Sequence, residues 1–495
     1  MSAKSQTERI IFGLKIKQLR QKKALSFAEL SEQTGMSVSY LNEIEKGKKY
    51  PREDKIQSLA HILGVTGEEL TSATLDKSLQ PVTELLQSNF LNELPLELFG
   101  VELAKVVEII ASAPTRVGAF ISTLLEISRN YAFREENFYF SALRSYLELH
   151  NNYFEDIENK VAEFCQMYQI PTTRPLSSAF MAALLEQQFG YTIIHNGLDA
   201  YPELQHLRAV LLPKEKKLLL HSQLTHTQRV FQFGKELGFH LLGLQERAYT
   251  SSLLRSRTFE EVLNHSRATY FSVALLLPQD SFLADVQQFF ARPLWDGSAF
   301  LALLKNYAAT PEMLYHRLTN VLPRFFGLDQ LFFLRFVHDP TANVFEMDKE
   351  LHLSRRHHPH GNALLEHYCR RWVALSVLQD LQKMQHQHEP ADTLVRIQRS
   401  RYIGTDDEYL SITLARAAYP TPNRNVSVTL GLHINADLRS KVAFLDDPAI
   451  PIKDVNQTCE RCALSYCAER AAPPLIVEKK EQLRQIQHRL KELMV

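Results

Sequence analysis

Residues 12–51 read FGLKIKQLRQKKALSFAELSEQTGMSVSYLNEIEKGKKYP, and this stretch decides the fold of the amino-terminal part of the chain. Ser26 with Glu29 forms a capping box, which predicts the start of a helix. Gly35 can take the left-handed backbone conformation that ends a helix, and Ser37 can cap the next one. Two short helices joined by a tight turn indicate a helix-turn-helix, whose second helix can enter the major groove of DNA.

The second helix of this motif carries the residues that we expect to contact double-stranded DNA. Val38, Leu41 and Ile44 are expected to point inward, which leaves the polar side chains outward. An asparagine can bond both edge groups of an adenine, and lysines just beyond the helix can meet phosphates. The predicted DNA-binding residues are Ser37, Ser39, Tyr40, Asn42, Lys46, Lys48 and Lys49.

Charge and composition narrow the class of protein. The formal net charge is zero, yet residues 1–56 hold 12 lysines and arginines against 7 acidic residues, which favours a polyanionic partner at this end. The 45% hydrophobic and 23% charged residues are typical of globular domains. The sequence shows neither a long apolar run nor a secretory leader, so we expect no membrane association and a cytoplasmic location.

The length of 495 residues predicts two to four domains. A helix-turn-helix domain is expected at residues 9–70, followed by a helical connector and dimerisation region at 82–168. Residues 169–328 mix a hairpin with helices, and residues 329–495 turn to β-strands and end with a cysteine cluster. The predicted fold class is therefore multidomain, mainly α with α+β: all-α at the amino terminus, and α+β in both the third and the last region.

The amino-terminal stretch resembles the lambda-repressor-like helix-turn-helix family, of the phage Cro and repressor type. The matching residues are Leu25–Ser26, Glu29–Leu30, Gly35, Ser37, Ser39, Leu41, Ile44–Glu45, Gly47 and Pro51. The resemblance implies a DNA-binding protein, and repressors of this kind bind pseudo-palindromic operators as dimers. We therefore expect a homodimer. The alternative is a plain helical bundle with solvated lysines.

Residues 229–243, RVFQFGKELGFHLLG, resemble the zinc helix of the ImmA/IrrE-type metallopeptidases, which carry His-Glu-x-x-His. Lys235 and Phe239 stand at the two histidine positions, and Glu236 alone remains of the motif. Arg267 stands where an acidic third ligand is expected, and cations repel zinc. We expect no catalysis. Lys235 and Arg267 would instead attract an anionic ligand such as a phosphate, unless both are ordinary surface charges.

The carboxy-terminal segment QTCERCALSYCAERAAPP places Cys459, Cys462 and Cys467 at the spacing C-x2-C-x4-C. Three thiolates this close can hold a metal, and a fourth ligand is then needed. Cys369, in EHYCRRW, is a better candidate than Cys165, which lies in a helical run and is expected to be buried packing. An iron–sulfur cluster, zinc and no metal all remain open, and a disulfide is disfavoured in the cytosol.

Most of the chain resembles the short-chain fatty-acyl regulators, a family of regulators of acetate and propionate metabolism. The resemblance runs through FYFSALRSYLELHNNYFEDIENKVAEF, RVFQFGKEL, CRRW and CERCALSYCAERAAPP. It implies a helix-turn-helix, a degenerate peptidase-like domain and a cysteine-bearing domain, with acyl-CoA as the sensed ligand. It also implies a 4Fe-4S cluster on Cys369, Cys459, Cys462 and Cys467. Zinc is the alternative, because four cysteine sulfurs also suit that metal.

These patterns predict a sequence-specific, DNA-binding transcription regulator that responds to a short-chain acyl-CoA and is not an enzyme. Two alternatives belong to other classes. One is an active zinc metallopeptidase that cleaves a repressor, and the other is a ligand-independent DNA-binding protein with a structural zinc site.

Overall fold

The computed structural model describes residues 6–72, 135–251, 258–353, 366–388, 393–418 and 423–493. Contacts within the chain group it into two compact units, Met1–Ala142 with Arg257–Phe259 and Leu143–Ser256 with Glu260–Val495. The helices predicted between residues 82 and 134, most of the expected dimer surface, lie outside the described residues. The domain limits given by the sequence stay predictions.

The first unit holds the helix-turn-helix. Its helices are α1 Gln6–Lys22, α2 Phe27–Thr34, α3 Val38–Glu45, α4 Glu53–Leu63 and α5 Gly67–Thr71. Ile16, Leu41 and Ile44 are fully buried in their common core. A Cβ added at Gly13 would lie 2.3 Å from the Ile44 carbonyl oxygen, so the close approach of α1 to α3 requires glycine here.

The predicted helix ends are confirmed. The Ser26 amide donates to the Glu29 carboxylate at 2.7 Å, and the Glu29 amide donates back to the Ser26 hydroxyl at 3.2 Å. Gly35 ends α2 at a φ of 66°. The inward orientation predicted for Val38 is wrong, because Val38 is 46% exposed. It is the first residue of α3, one turn before the positions that reach the core.

Helices also dominate the rest of the described chain. They are α6 Glu135–Leu149, α7 Glu155–Met167, α8 Ser178–Phe189, α9 His226–Leu241, α10 Phe259–Leu276, α11 Gln279–Phe290, α12 Gly297–Asn306, α13 Pro311–Val321, α14 Val373–His386, α15 Ala436–Lys441 and α16 Leu475–Leu493. Thr225 caps α9 through another capping box, which begins this helix directly after a hairpin. None of the described helices is long and apolar enough to cross a membrane.

A small sheet of three strands has the order β1-β3-β2. Its strands are β1 Thr192–Ile194, β2 Ala209–Leu212 and β3 Lys217–Leu220. The antiparallel pair of β2 and β3 is the hairpin that RAVLL, PKEK and KLLLH predict. β1 adds to β3 in parallel.

A larger sheet has the order β5-β4-β8-β7-β6-β9. Its strands are β4 Leu331–Asp339, β5 Val344–His352, β6 Leu394–Tyr402, β7 Glu408–Ala417, β8 Asn425–His433 and β9 Ile452–Val455. Side chains alternate between two buried faces. Phe333 belongs to a large core that also includes residues of α13, whereas Phe336 packs with Leu375 and Leu378 of α14. The predicted fold class, with an all-α amino terminus and α+β beyond it, is confirmed.

Candidate functional site

The DNA-facing surface of the helix-turn-helix is polar. Five of the seven predicted contact residues are exposed, whereas Tyr40 and Asn42 are half-buried. The Ser37 hydroxyl accepts the Tyr40 amide at 3.2 Å and so caps α3. The Lys55 ammonium lies 4.3 Å from the centre of the Tyr40 ring. This cation–π contact orients the Tyr40 ring at the helix surface. It does not involve the Tyr40 hydroxyl.

A buried ion pair that the sequence did not reveal fixes α3 against α1. The Arg20 guanidinium donates to both carboxylate oxygens of Glu45, at 2.7 and 3.1 Å. The two side chains are 12% and 4% exposed. Such a two-point contact sets an orientation as well as a distance. The pair therefore helps to position the helix that would read DNA.

In the second unit, Glu236 is the one residue retained from the peptidase motif, and its carboxylate is hydrogen-bonded to two side chains. The Arg247 guanidinium donates to the two oxygens of Glu236 at 2.7 and 2.8 Å. The Tyr191 hydroxyl donates to the same carboxylate at 3.3 Å. Glu236 and Arg247 are 7% and 9% exposed, and the guanidinium lies 3.6 Å above the Phe239 ring. A carboxylate held by two donors is not poised to activate water, as a peptidase glutamate must be.

Lys235 is buried beside this pair. Its ammonium donates to the Ser251 carbonyl at 3.2 Å and lies 3.3 Å from Nε2 of His265. Burial lowers the pKa of Lys235 to about 7, even though Glu236 opposes the shift. Burial and Lys235 also lower the pKa of His265. The Lys235 amine and a neutral imidazole thus occupy the place where a peptidase would hold zinc.

The structure does not bring Lys235 and Arg267 together, as the prediction that both attract one anionic ligand requires. Arg267 donates to Asp156 at 3.0 Å. His265, which contacts Lys235, lies two residues earlier on α10, and side chains so spaced point about 200° apart. Arg267 therefore points away from Lys235, and its charge is met by a carboxylate.

Further charges of the second unit meet at the start of α13. Glu312 lies 3.2 Å from Arg335 of β4 and 3.5 Å from Arg416 of β7. Although burial opposes the shift, Arg416, Arg335 and Arg208 hold the pKa of Glu312 well below its usual range. Arg335 also pairs with Asp348 of β5. Sequence patterns do not reveal this group, because its members come from separate strands and a helix.

Three of the four predicted cysteine ligands converge. The Cys369 amide donates to the Gln457 carbonyl at 3.2 Å, and the Cys459 amide donates to the His367 carbonyl at 2.9 Å. Burial, with smaller contributions from the neighbouring Cys459 and Cys462, raises the pKa of Cys369 to about 11. The backbone thus brings these three buried thiols together.

Cys467 does not complete a ligand set. It is partly exposed, and its sulfur lies 3.7 Å from a carboxylate oxygen of Glu469. Across the described ranges, no group of three or more His, Cys, Asp or Glu side chains is placed to hold a metal ion. As placed, the cysteines do not fit a four-ligand cluster. A metal here requires Cys467 to leave Glu469 and turn toward the other thiols.

Two parts of the chain match known protein families. Residues 11–73 match the family described as a helix-turn-helix domain, and residues 186–319 match the IrrE N-terminal-like domain. A solved structure of a Mycobacterium tuberculosis transcriptional regulator is 20% identical, with a TM-score of 0.46, over 67% of this chain and 92% of that chain. No curated protein matches. The two domain matches support a DNA-binding helix-turn-helix transcription regulator that carries an IrrE-like domain.

Proposed function

We propose that this protein is a metabolite-responsive transcription regulator in which the IrrE-like domain binds a ligand and does not hydrolyse peptides. The observation that carries the proposal is the double hydrogen bond from Arg247 to Glu236, at 2.7 and 2.8 Å. Lys235 and Phe239 occupy the neighbouring zinc-ligand positions. A domain with this fold but without a free base or metal ligands lacks the groups that metal-assisted hydrolysis needs.

The proposed ligand is a short-chain acyl-CoA, and the proposed assembly is a homodimer that binds a pseudo-palindromic operator. Support comes from the sequence resemblance, and from Lys235 at the former zinc position, whose amine can donate hydrogen bonds to a phosphate group. A ligand regulates DNA binding only if it binds one conformation of the protein more tightly than the other. The operator affinity must therefore differ with and without ligand.

The experiment starts with DNA fragments selected by the full chain from a random-sequence pool. Binding of the best fragment is measured by fluorescence anisotropy with and without propionyl-CoA. Asn42→Ala should weaken binding by about tenfold, because one base contact contributes about 1–3 kcal/mol. Gln33→Ala, at an exposed position of α2, is the matched control and should bind like the wild type.

Two results would contradict the proposal. If acetyl-, propionyl- and longer acyl-CoAs change neither the DNA affinity nor the melting temperature, the acyl-CoA part is wrong. If the purified protein holds stoichiometric zinc and cleaves a protein substrate in a way that Glu236→Ala abolishes, it is a peptidase. The second outcome would overturn the whole assignment.

A further inference from the structure

The last helix of the described chain has an apolar stripe that stays in water. α16 is 19 residues long, and none of its residues is buried in the part of the chain that the structure describes. Leu483, Ile486, Leu490 and Leu493, which we call the stripe, are 51%, 55%, 52% and 75% exposed. Most of the stability of a helix in a folded protein comes from packing of its apolar face. An exposed stripe on a helix of this length therefore indicates a partner.

The base of α16 is held by the cysteine segment. The Ile476 amide donates to the Glu460 carbonyl at 3.1 Å. Just before the helix, the Arg470 guanidinium donates to the Cys459 carbonyl at 2.9 Å. From Glu478 onward, every residue of the helix is exposed. The stripe thus lies on a helix with a fixed start, beyond the last contact with that segment.

The spacing of the stripe is that of a coiled-coil seam. Its residues follow one another at three, four and three positions, and Ile476 stands seven residues before Leu483. Alternation of three and four gives a narrow apolar line, along which a helix of the same spacing packs. Away from the stripe, Glu481 pairs with Arg484 at 3.7 Å. The charged side of the helix is therefore satisfied within the helix, whereas the stripe is not.

The composition of α16 disfavours a membrane surface as the partner. Helices that lie on membranes have tryptophan or phenylalanine on a wide apolar face. The 19 residues of α16 include no phenylalanine, tyrosine or tryptophan. Glu478, Glu481 and Glu492 would also meet the anionic headgroups of a bilayer. A helix with the same spacing covers the stripe without either disadvantage.

Lys479 indicates in which direction a second copy of α16 would pack. It continues the seam four residues before Leu483. In a parallel pair, the two copies of Lys479 would face each other, and like charges in contact repel. In an antiparallel pair that aligns Leu483 with Ile486, Lys479 faces Leu490 of the other copy. Its methylene groups can then lie along the leucine while the ammonium stays in water.

The residues that flank the seam agree with this direction. In the same antiparallel alignment, Arg489 of one copy lies beside Gln482 of the other. Lys480 likewise lies beside Gln487. Flanking charges of equal sign would weaken a coiled coil, and a neutral glutamine beside each cation avoids that contact. The charge pattern of α16 therefore suits a second α16.

We propose that α16 packs against α16 of a second copy of this protein as an antiparallel pair. The inference rests on the proposed function, because a pseudo-palindromic operator requires two copies. It is separate from the dimer surface that the sequence predicts within residues 82–168. A seam this short gives a weak dimer, with a dissociation constant of about 1–100 μM. Binding of two copies to one operator would raise their effective concentration and strengthen the contact.

The test is sedimentation equilibrium of the full chain without DNA. Leu483→Ala with Leu490→Ala removes two leucine side chains from each copy and should raise the dissociation constant at least about tenfold. The matched control, Gln485→Ala with His488→Ala, changes two exposed residues off the stripe and should dimerise like the wild type. Alanine favours helix, so both double variants keep α16 intact.

A second variant tests the direction of the pair. Gln482→Glu places a carboxylate beside Arg489 of the other copy only in the antiparallel alignment. The two new ion pairs should lower the dissociation constant about threefold at low salt. An unchanged or higher dissociation constant would overturn the antiparallel pair.

The inference is also overturned if the wild type stays monomeric up to about 100 μM, or if the variant with both leucines replaced dimerises like the wild type. Binding of the wild type, but not of that variant, to vesicles of equimolar phosphatidylglycerol and phosphatidylcholine would assign the stripe to a membrane and reject a second copy.

The proposed function fails separately. If the leucine variant still dimerises and propionyl-CoA still shifts the operator affinity, the regulator survives and this surface is wrong. If the leucine variant is monomeric while acyl-CoAs leave the operator affinity of the wild type unchanged, the surface is supported and the acyl-CoA proposal is wrong.

Discussion

Replacing Arg247 with methionine tests the central claim that Glu236 is a structural partner and not a base. The change leaves a carboxylate that is 7% exposed without its cation, and the Tyr191 hydroxyl at 3.3 Å replaces only part of the lost contact. Breaking a buried pair in this way costs about 3–5 kcal/mol. Loss of the guanidinium 3.6 Å above Phe239 adds about 1 kcal/mol. We expect a fall in the free energy of unfolding of at least about 3 kcal/mol.

The assay is thermal unfolding of the full chain, compared with a matched pair on the surface. Arg292 and Asp296 form an ion pair with side chains 42% and 38% exposed, so Arg292→Met should cost less than about 1 kcal/mol. The double variant Glu236→Gln with Arg247→Met also removes the unpaired buried carboxylate. It should therefore recover most of the lost free energy of unfolding. The reasoning is refuted if Arg247→Met is no more harmful than Arg292→Met, or if the double variant recovers nothing.

Two further predictions rest on the described contacts, and a third rests on the cysteine pattern of the sequence. Gly13→Ala puts a methyl 2.3 Å from the Ile44 carbonyl and should cost about 1–3 kcal/mol and weaken DNA binding, seen by melting and anisotropy; unchanged values would contradict it. Burial and Lys349 lower the pKa of His316 from 6.5 to about 4, so unfolded chains bind more protons in this range. The melting temperature should therefore fall between pH 6.5 and 4, less steeply in His316→Gln; parallel curves would count against this. A cluster on four cysteines, which the sequence predicts, needs Cys467 to turn from Glu469 toward the other three thiols. Anaerobic protein should then be brown with about four iron atoms per chain, and Cys467→Ser should lose the colour; zinc alone, or no metal, would reject it.

The helix-turn-helix could be predicted because its signals are local. A capping box at Ser26 and Glu29, a glycine able to take positive φ and a serine cap are each read within four residues. Local signals also predicted the hairpin before α9 and the β-strands after residue 329. Val38 was misplaced because a periodic pattern does not show which residue of a helix begins it.

The missing zinc ligands at Lys235 and Phe239 were visible in the sequence, since substitution within a motif needs no fold to be seen. What replaced them was decided by the tertiary structure. Arg247 and His265 reach this place from a loop and from another helix, and α10 turns Arg267 away from it. Residue types and spacing along the chain thus determined the DNA-binding domain and showed that the zinc-ligand positions of the peptidase motif hold other residues. Only the packing of distant strands and helices placed Lys349 opposite Arg335, because electrostatic contact depends on distance in space and not in sequence.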